Sequence, residues 1–292
     1  MPTLEGLRHQ IETATDLHSI VTTMKTLAAV SIHQYEEAVA ALGEYHRTIE
    51  LGFQILLRGT PLPSDDSPAS GRPLAILFGS DQGMCGRFNE EIVAFAQPAL
   101  SDASEKPAPL LMVVGARAEG PLRERGGDVR HLYEVPSSVS EITNLVQELL
   151  PDIERLREHE AVSRLTVYYH RRSSAASFTP FQRQLLPIQP ERLAGYRDAR
   201  WPSPCLPQFA SDRGRLFSQL VRQQLFVSLF QACAESLASE NASRIAAMQS
   251  AEKNIEERLE TFQGAFHRLR QSAITEELLE VVSGFEALRA GQ

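Results

Sequence analysis

The residues best placed to do chemistry lie in one stretch, Gly79-Ser80-Asp81-Gln82-Gly83-Met84-Cys85-Gly86-Arg87-Phe88-Asn89. It follows an apolar run, Leu74 to Phe78, and opens a helical pattern. In that setting the backbone N–H groups at a helix start can cradle a phosphate. The stretch has neither P-loop nor GxGxxG spacing, and no lysine stands where it would meet a β- or γ-phosphate. The plainer reading is a tight strand-to-helix turn, with Gly83 and Gly86 supplying positive φ. Cys85, beside a helix start where thiol pKa values fall, could serve as a nucleophile. No histidine neighbours it in sequence to act as base, so packing in the turn is the better reading. The acidic pairs Asp65-Asp66 and Glu276-Glu277 sit in a polar linker and beside an apolar helical stripe, where solvated charge is the simpler account.

Composition narrows the field. Apolar residues at 42% and charged residues at 23% suit a packed soluble core rather than a disordered chain. A formal net charge of -8 gives no bulk attraction to nucleic acid or to an anionic surface. Cys85, Cys205 and Cys233 are too few and too scattered for a disulfide framework, and fit a reducing compartment. No Cys/His group has zinc-ligand spacing, so neither a metal nor a cofactor is expected. The start, Met1-Pro2-Thr3-Leu4-Glu5, lacks a signal-peptide layout. No apolar run reaches the roughly 18 residues needed to span a bilayer. A soluble, intracellular protein is expected, able to work at a membrane as a peripheral part of something larger.

Prolines organise the elements that would hold these residues. None falls between Pro2 and Pro61, and none follows Pro207. Because proline costs a helix interior about 3 kcal/mol, both ends are free to form long helices. Alternating steps of three and four from Leu4 reach Leu56 through sixteen positions, thirteen of them apolar or aromatic, with His18, Lys25 and His46 as the exceptions. That is a coiled-coil seam, and a helix over residues 4–58 would be roughly 80 Å long, too long to be enclosed by a domain of this size. Ile245, Met248, Glu252, Ile255, Leu259, Phe262, Phe266, Leu269 and Ala273 repeat the pattern, with Glu252 the exception. The stripe then moves by one residue to Ile274, Leu278, Val281, Phe285 and Leu288, a discontinuity in winding. Leu225 to Leu237 is apolar on nearly every side, as in an enclosed helix. With Asp212 as N-cap, the second helix would run over residues 212–288.

Between them, residues 73–207 read as an α/β domain. Strands are expected at 74–78, 110–114, 129–135 and 165–169, and helices at 88–96 and 140–160. The fold class is therefore α/β: an antiparallel coiled coil of terminal helices, 1–58 and 208–292, with a linker at 59–72 and a central Rossmann-like domain whose mostly parallel sheet is covered on both faces. On the seam, His18 and Lys25 have two readings, a polar residue fixing register or a contact to a wrapping partner, and the first is the plainer. Arg244 reads as a solvated surface residue.

Four motifs, in order along essentially the whole chain, resemble the gamma subunit of F-type ATP synthases. They are Met24-Lys25-Thr26-Leu27-Ala28-Ala29, Ser80 to Asn89, Glu235-Ser236-Leu237-Ala238-Ser239-Glu240-Asn241-Ala242-Ser243-Arg244, and Gln271-Ser272-Ala273-Ile274-Thr275-Glu276-Glu277-Leu278. The resemblance implies a non-catalytic rotor shaft without cofactor. Its paired helices would turn inside the hexameric ring of alpha and beta subunits, while the middle domain meets the epsilon subunit and the membrane ring of c subunits. It implies that Met24 and Lys25 lie near a beta-subunit catch region, and that Glu240, Arg244, Gln271 and Thr275 contact catch loops. The Gly83-Met84-Cys85-Gly86 turn would then be structural. The C-terminal helix is expected to outrun its partner after Ala273 and meet the ring alone.

Departures from the family pattern include Gly86-Arg87 for a usual glycine pair, Asn241 for a usual histidine, and a mixed rather than basic first helix. No regulatory cysteine pair is inserted. Together they imply a divergent bacterial form at the cytoplasmic face of the inner membrane, such as a second, alternative ion-translocating ATPase would use. The competing reading from the residues alone is a phosphate- or nucleotide-binding α/β enzyme whose helices mediate oligomerisation, with a coiled-coil scaffold as a third.

Overall fold

The computed structural model describes residues 3–59, 71–101, 107–172, 178–210 and 212–290, with side chains as far as residue 283. The expected linker, with Asp65 and Asp66, lies almost wholly outside the described residues. The two proline-free ends form the longest helices, α1 (Leu4–Leu57, 54 residues) and α6 (Arg213–Ala290, 78 residues). The chain forms two compact units. One comprises residues 1–28 and 245–292, the other residues 29–244.

In the first unit α1 and α6 pair along the expected seam. Leu7, Ala14, Val21 and Ala28, seven residues apart, are buried, with Ile11, His18 and Lys25 half-buried between them. From α6, Met248 is buried, and Ile255, Leu259, Phe262, Phe266 and Leu269 are half-buried. His18 meets Glu256 while Thr22 and Lys25 meet Glu252, so numbering rises on one helix as it falls on the other and the pair is antiparallel.

The second unit is built on a five-stranded sheet. Its strands are β1 (Arg72–Phe78), β2 (Leu110–Val114), β3 (Asp128–Tyr133), β4 (Val162–Arg172) and β5 (Phe178–Leu186), in the order β3-β2-β1-β4-β5. The first four are parallel, and β5 runs antiparallel to β4. All five residues of β2 are buried, as a parallel strand covered on both faces requires. One face packs on α2 (Phe88–Leu100) and α3 (Ala116–Glu124), with Ala75, Leu77, Leu111 and Val113 facing Ile92, Ala96, Ala118 and Leu122. The other packs on α4 (Val139–His159) and on the enclosed part of α6, where Leu225, Leu229, Phe230, Cys233, Ala234 and Leu237 join Leu74, Ile76, Met112 and Val167. Tyr35 of α1 joins the same core. A short helix, α5 (Pro190–Asp198), follows β5 and sets Leu193 and Tyr196 against Ile49 and Phe53 of α1.

The sequence pattern locates four strands and two helices of this unit but misses α3, α5 and β5. Helix α3 contains Gly120 and Pro121, which dilute any period. Strand β5 carries Pro180, tolerable because the strand is at the sheet edge, where an N–H can be spared. Helix α2 continues past the expected 96 to Leu100, with Pro98 inside its last turn.

Candidate functional site

The turn between β1 and α2 is closed on itself. Asn89 Oδ1 accepts from the Ser80 N–H (3.0 Å), and Asn89 Nδ2 donates to Ser80 Oγ (2.8 Å). Ser80 Oγ donates to the Gln82 carbonyl (3.0 Å) and lies 3.6 Å from the Cys85 sulfur, which is buried. Gly86 takes φ +60° and Met84 φ 61°, so the chain reverses through two left-handed residues. A Cβ on Gly83 would meet only the flexible end of Arg117, at 3.3 Å, while φ is ordinary there.

At this end of the sheet the start of α3 is capped by the protein's own carboxylate. Asp81 Oδ1 accepts from the Ala116 N–H at the start of α3 (2.7 Å), and Oδ2 accepts from the Val135 N–H (2.6 Å). Orphan N–H groups at a helix start attract negative charge, and here Asp81 satisfies that of Ala116 in α3. The approach is close. Gly115 has φ +99°, and a Cβ on it would fall 2.6 Å from the Ser80 nitrogen. Beside this turn His170 is buried, its ring stacked on Phe88 with centroids 4.2 Å apart. Neither ring nitrogen has a hydrogen-bond partner among the described residues, and burial pushes its pKa down to about 4.

The residues singled out on the long helices fall into three groups. Lys25 Nζ donates to Glu252 Oε2 at 2.5 Å, and Thr22 Oγ1 donates to the other oxygen at 3.2 Å. The Lys25 ammonium, with the hydroxyl, holds the Glu252 carboxyl below its usual range. Met24, next to Lys25, is half-buried. Glu240 and Arg244, one turn apart on α6, pair at 2.5 Å and are only 5% and 7% exposed. Arg244 also donates to Asn241 Oδ1 at 3.1 Å, while its Nε has no partner among the described residues. Burial raises the Glu240 pKa, against the pull of Arg244. Gln271 and Thr275 are exposed, and Thr275 Oγ1 donates to the Gln271 carbonyl at 2.8 Å. In this chain, then, Lys25, Glu240 and Arg244 already have partners, whereas Gln271 and Thr275 point outward.

A second apolar surface was not recognised from the sequence. Leu17, Ile20, Leu27 and Val30 of α1 are each about half exposed or more, outside the seam. Their spacing of three and seven, with Met24 between, was the available signal. On α6, Ile274, Leu278, Leu279, Val281 and Val282 are exposed, Leu278 at 60% and Val281 at 71%. The contacts of Lys25 and His18 place the start of α1 opposite residues about 270–273 of α6, so no residue of α1 remains to cover the last turns of α6. The shift of stripe after Ala273 coincides with that end; Phe285 and Leu288 lie beyond the described side chains.

Two long terminal helices paired antiparallel, with a mostly parallel α/β unit between them in sequence, define an α/β protein with a coiled coil of its two ends. The model of the family described as ATP synthase matches residues 3–288, and the chain belongs to that family. Within it the chain takes the place of the gamma chain, the rotor shaft. Curated relatives named ATP synthase gamma chain match from end to end. The Brucella ovis protein is 25% identical over 297 residues, covering 99% of this chain and 100% of its own. The Synechococcus protein is 29% identical over 322 residues, with the same coverage. Among solved structures, a chain of the Euglena gracilis mitochondrial ATP synthase assembly of OSCP, F1 and c-ring has a TM-score of 0.67 at 19% identity, over 99% of this chain and 95% of that one.

Proposed function

We propose that this chain is the non-catalytic rotor of an ion-translocating ATP synthase, turning inside a hexameric ring of alpha and beta subunits. The observation that carries the reading is the apolar surface left uncovered on the helix pair, Leu17, Ile20 and Leu27 on α1 and Ile274 to Val282 on α6. Exposed apolar groups gathered on one element mark a surface that a partner covers. A shaft whose faces differ around its axis presents each of three surrounding catalytic sites with a different surface as it turns. Met24, Gln271 and Thr275 contact the ring directly. Lys25, Glu240 and Arg244 do so by exchanging their internal partners for those of the ring. The sheet unit meets the epsilon subunit and the c-ring, at the cytoplasmic face of the bacterial membrane. Asp81, bonded to the start of α3 and to Val135, ties down the turn after β1 and supports reading that turn as structural.

The test is co-expression with alpha and beta subunits and assay of ATP hydrolysis with and without this chain. A stable complex whose hydrolysis depends on the chain is expected. Assembly and activity indifferent to its presence would remove the proposal, and nucleotide binding by the lone chain, abolished by Gly83→Val or Gly86→Val, would favour an enzyme instead.

A further inference from the structure

The end of α1 and the segment after α5 enclose an open cleft of about 800 Å³, within the range of small-molecule sites. Three guanidinium groups line it, from Arg58, Arg197 and Arg200, against one carboxylate, Asp198. Arg197 is paired to that carboxylate through two hydrogen bonds of 2.8 and 3.2 Å. Arg58 and Arg200 are exposed and meet no acceptor among the described residues. In a chain of net charge -8 this is a local excess of positive charge, not part of a general basic surface. Trp201 forms one wall, half-buried, with its indole N–H donated to the Cys205 carbonyl at 2.9 Å, so that the ring is held in place. Leu206, exposed on the same rim, adds an apolar shoulder.

We infer that this cleft binds a phosphate group, with Arg58 and Arg200 as its cationic clamp and Trp201 and Leu206 as the apolar edge. Planar guanidinium groups match phosphate oxygens two at a time, and they prefer it to a single point charge. An aromatic ring and a leucine beside an anion site suit an amphiphile, whose charged head enters the cleft while its tails stay at the rim. The phosphate could therefore come from an anionic lipid headgroup or from a free ion. The inference goes beyond the rotor reading and stands on different residues, so its failure would leave that reading intact.

Trp201 is the only tryptophan in the chain and reports on the cleft directly. The full chain is titrated with vesicles of mixed phosphatidylglycerol and phosphatidylcholine, with vesicles of phosphatidylcholine alone, and with inorganic phosphate. The mixed vesicles are expected to change the tryptophan emission and the neutral ones to leave it unchanged. The double variant Arg58→Gln/Arg200→Gln is expected to weaken the response about tenfold, as loss of charge-assisted hydrogen bonds implies. Should the double variant fail to fold, Arg200→Gln alone, in an exposed segment, gives the same reading. An emission change with millimolar phosphate, competing with the vesicles, assigns the site to the free ion; a change with mixed vesicles alone assigns it to the headgroup. No response to either, a response the variants retain, or an equal response to polyglutamate would overturn the phosphate assignment, the last in favour of an acidic protein partner.

Discussion

Lys25 on α1 and Glu252 on α6, each a polar exception in its own apolar stripe, are bonded to one another at 2.5 Å across the helix pair. Two departures from the pattern thus cancel at one level of the seam. Thr22 completes the arrangement by donating to the same carboxylate, and His18 lies 3.4 Å from Glu256 one turn further on. A charge pair within an apolar seam is satisfied in one register only, which sets how the two helices align.

Breaking this pair should cost stability whichever member is removed. Glu252→Leu leaves the Lys25 ammonium half-buried without its carboxylate, and Lys25→Leu does the converse. Each single variant should lower the melting temperature of the helix pair, while Lys25→Leu with Glu252→Leu should recover it and lose register specificity. A double-mutant cycle followed by thermal unfolding measures the coupling, and additive singles would deny it. Because Glu252 is held below its ordinary pKa of 4.5, the pair contributes above that value and its contribution is lost as pH falls through the lowered one.

Ala28→Asp places a carboxylate at a buried seam position. Such a group costs roughly 2–4 kcal/mol unless the helices part to hydrate it. Hydrogen exchange should quicken in residues 18–35 and in the facing part of α6, with β1 and β2 unaffected. In an assembled complex, coupling should fall further than folding of the sheet unit.

His170 sets an acid limit on the sheet unit. Its folded pKa lies near 4 and its ordinary value is 6.5, so the unfolded chain binds the proton more readily. Stability is complete above about 6.5 and falls as pH drops from there toward 4, by about 3 kcal/mol in all. Denaturant titrations at pH 7.5 and 4.5 should show the loss, and His170→Phe should flatten the profile. A loss of the same size in that variant would assign the acid sensitivity elsewhere.

Asp81→Ala removes the acceptor of two backbone N–H groups, one of them at the start of α3. Loss of a cap and of a second, partly buried acceptor should cost about 2 kcal/mol. Gly115→Ala acts on the same approach, since its φ of +99° and its 2.6 Å distance to Ser80 leave no room for a Cβ. Both should lower the denaturation midpoint of the sheet unit, and neither should alter nucleotide affinity.

Leu27→Glu and Leu278→Glu alter side chains that are about 60% exposed in the lone chain. Its stability should move by no more than about 0.5 kcal/mol. Assembly with alpha and beta subunits, followed by size-exclusion chromatography, should fail or weaken sharply. Normal assembly of both variants would remove the surface on which the functional proposal rests.

What the sequence determined by itself was whatever depends on local order. Proline placement and a period of 3.5 are sufficient for two long helices, because one proline would break each and one repeat keeps a single face apolar. Of the four parallel strands, β1, β2 and β4 are visible as short apolar runs because their centres are buried, whereas the edge strand β3 is half-exposed. The remaining features depend on which residues meet. Strand β5 exists because β4 offers it an edge, and α3 because its start finds Asp81 some 35 residues earlier. Lys25 and Glu252 are separated by 227 residues and become partners only when the helices align. The turn at Gly79 to Asn89 already reads as a plain turn in preference to a phosphate cradle, but only the fold shows Asp81 within it capping α3. Burial and pairing are properties of the assembled chain, and a linear pattern carries the face a residue is on but not the group it will face.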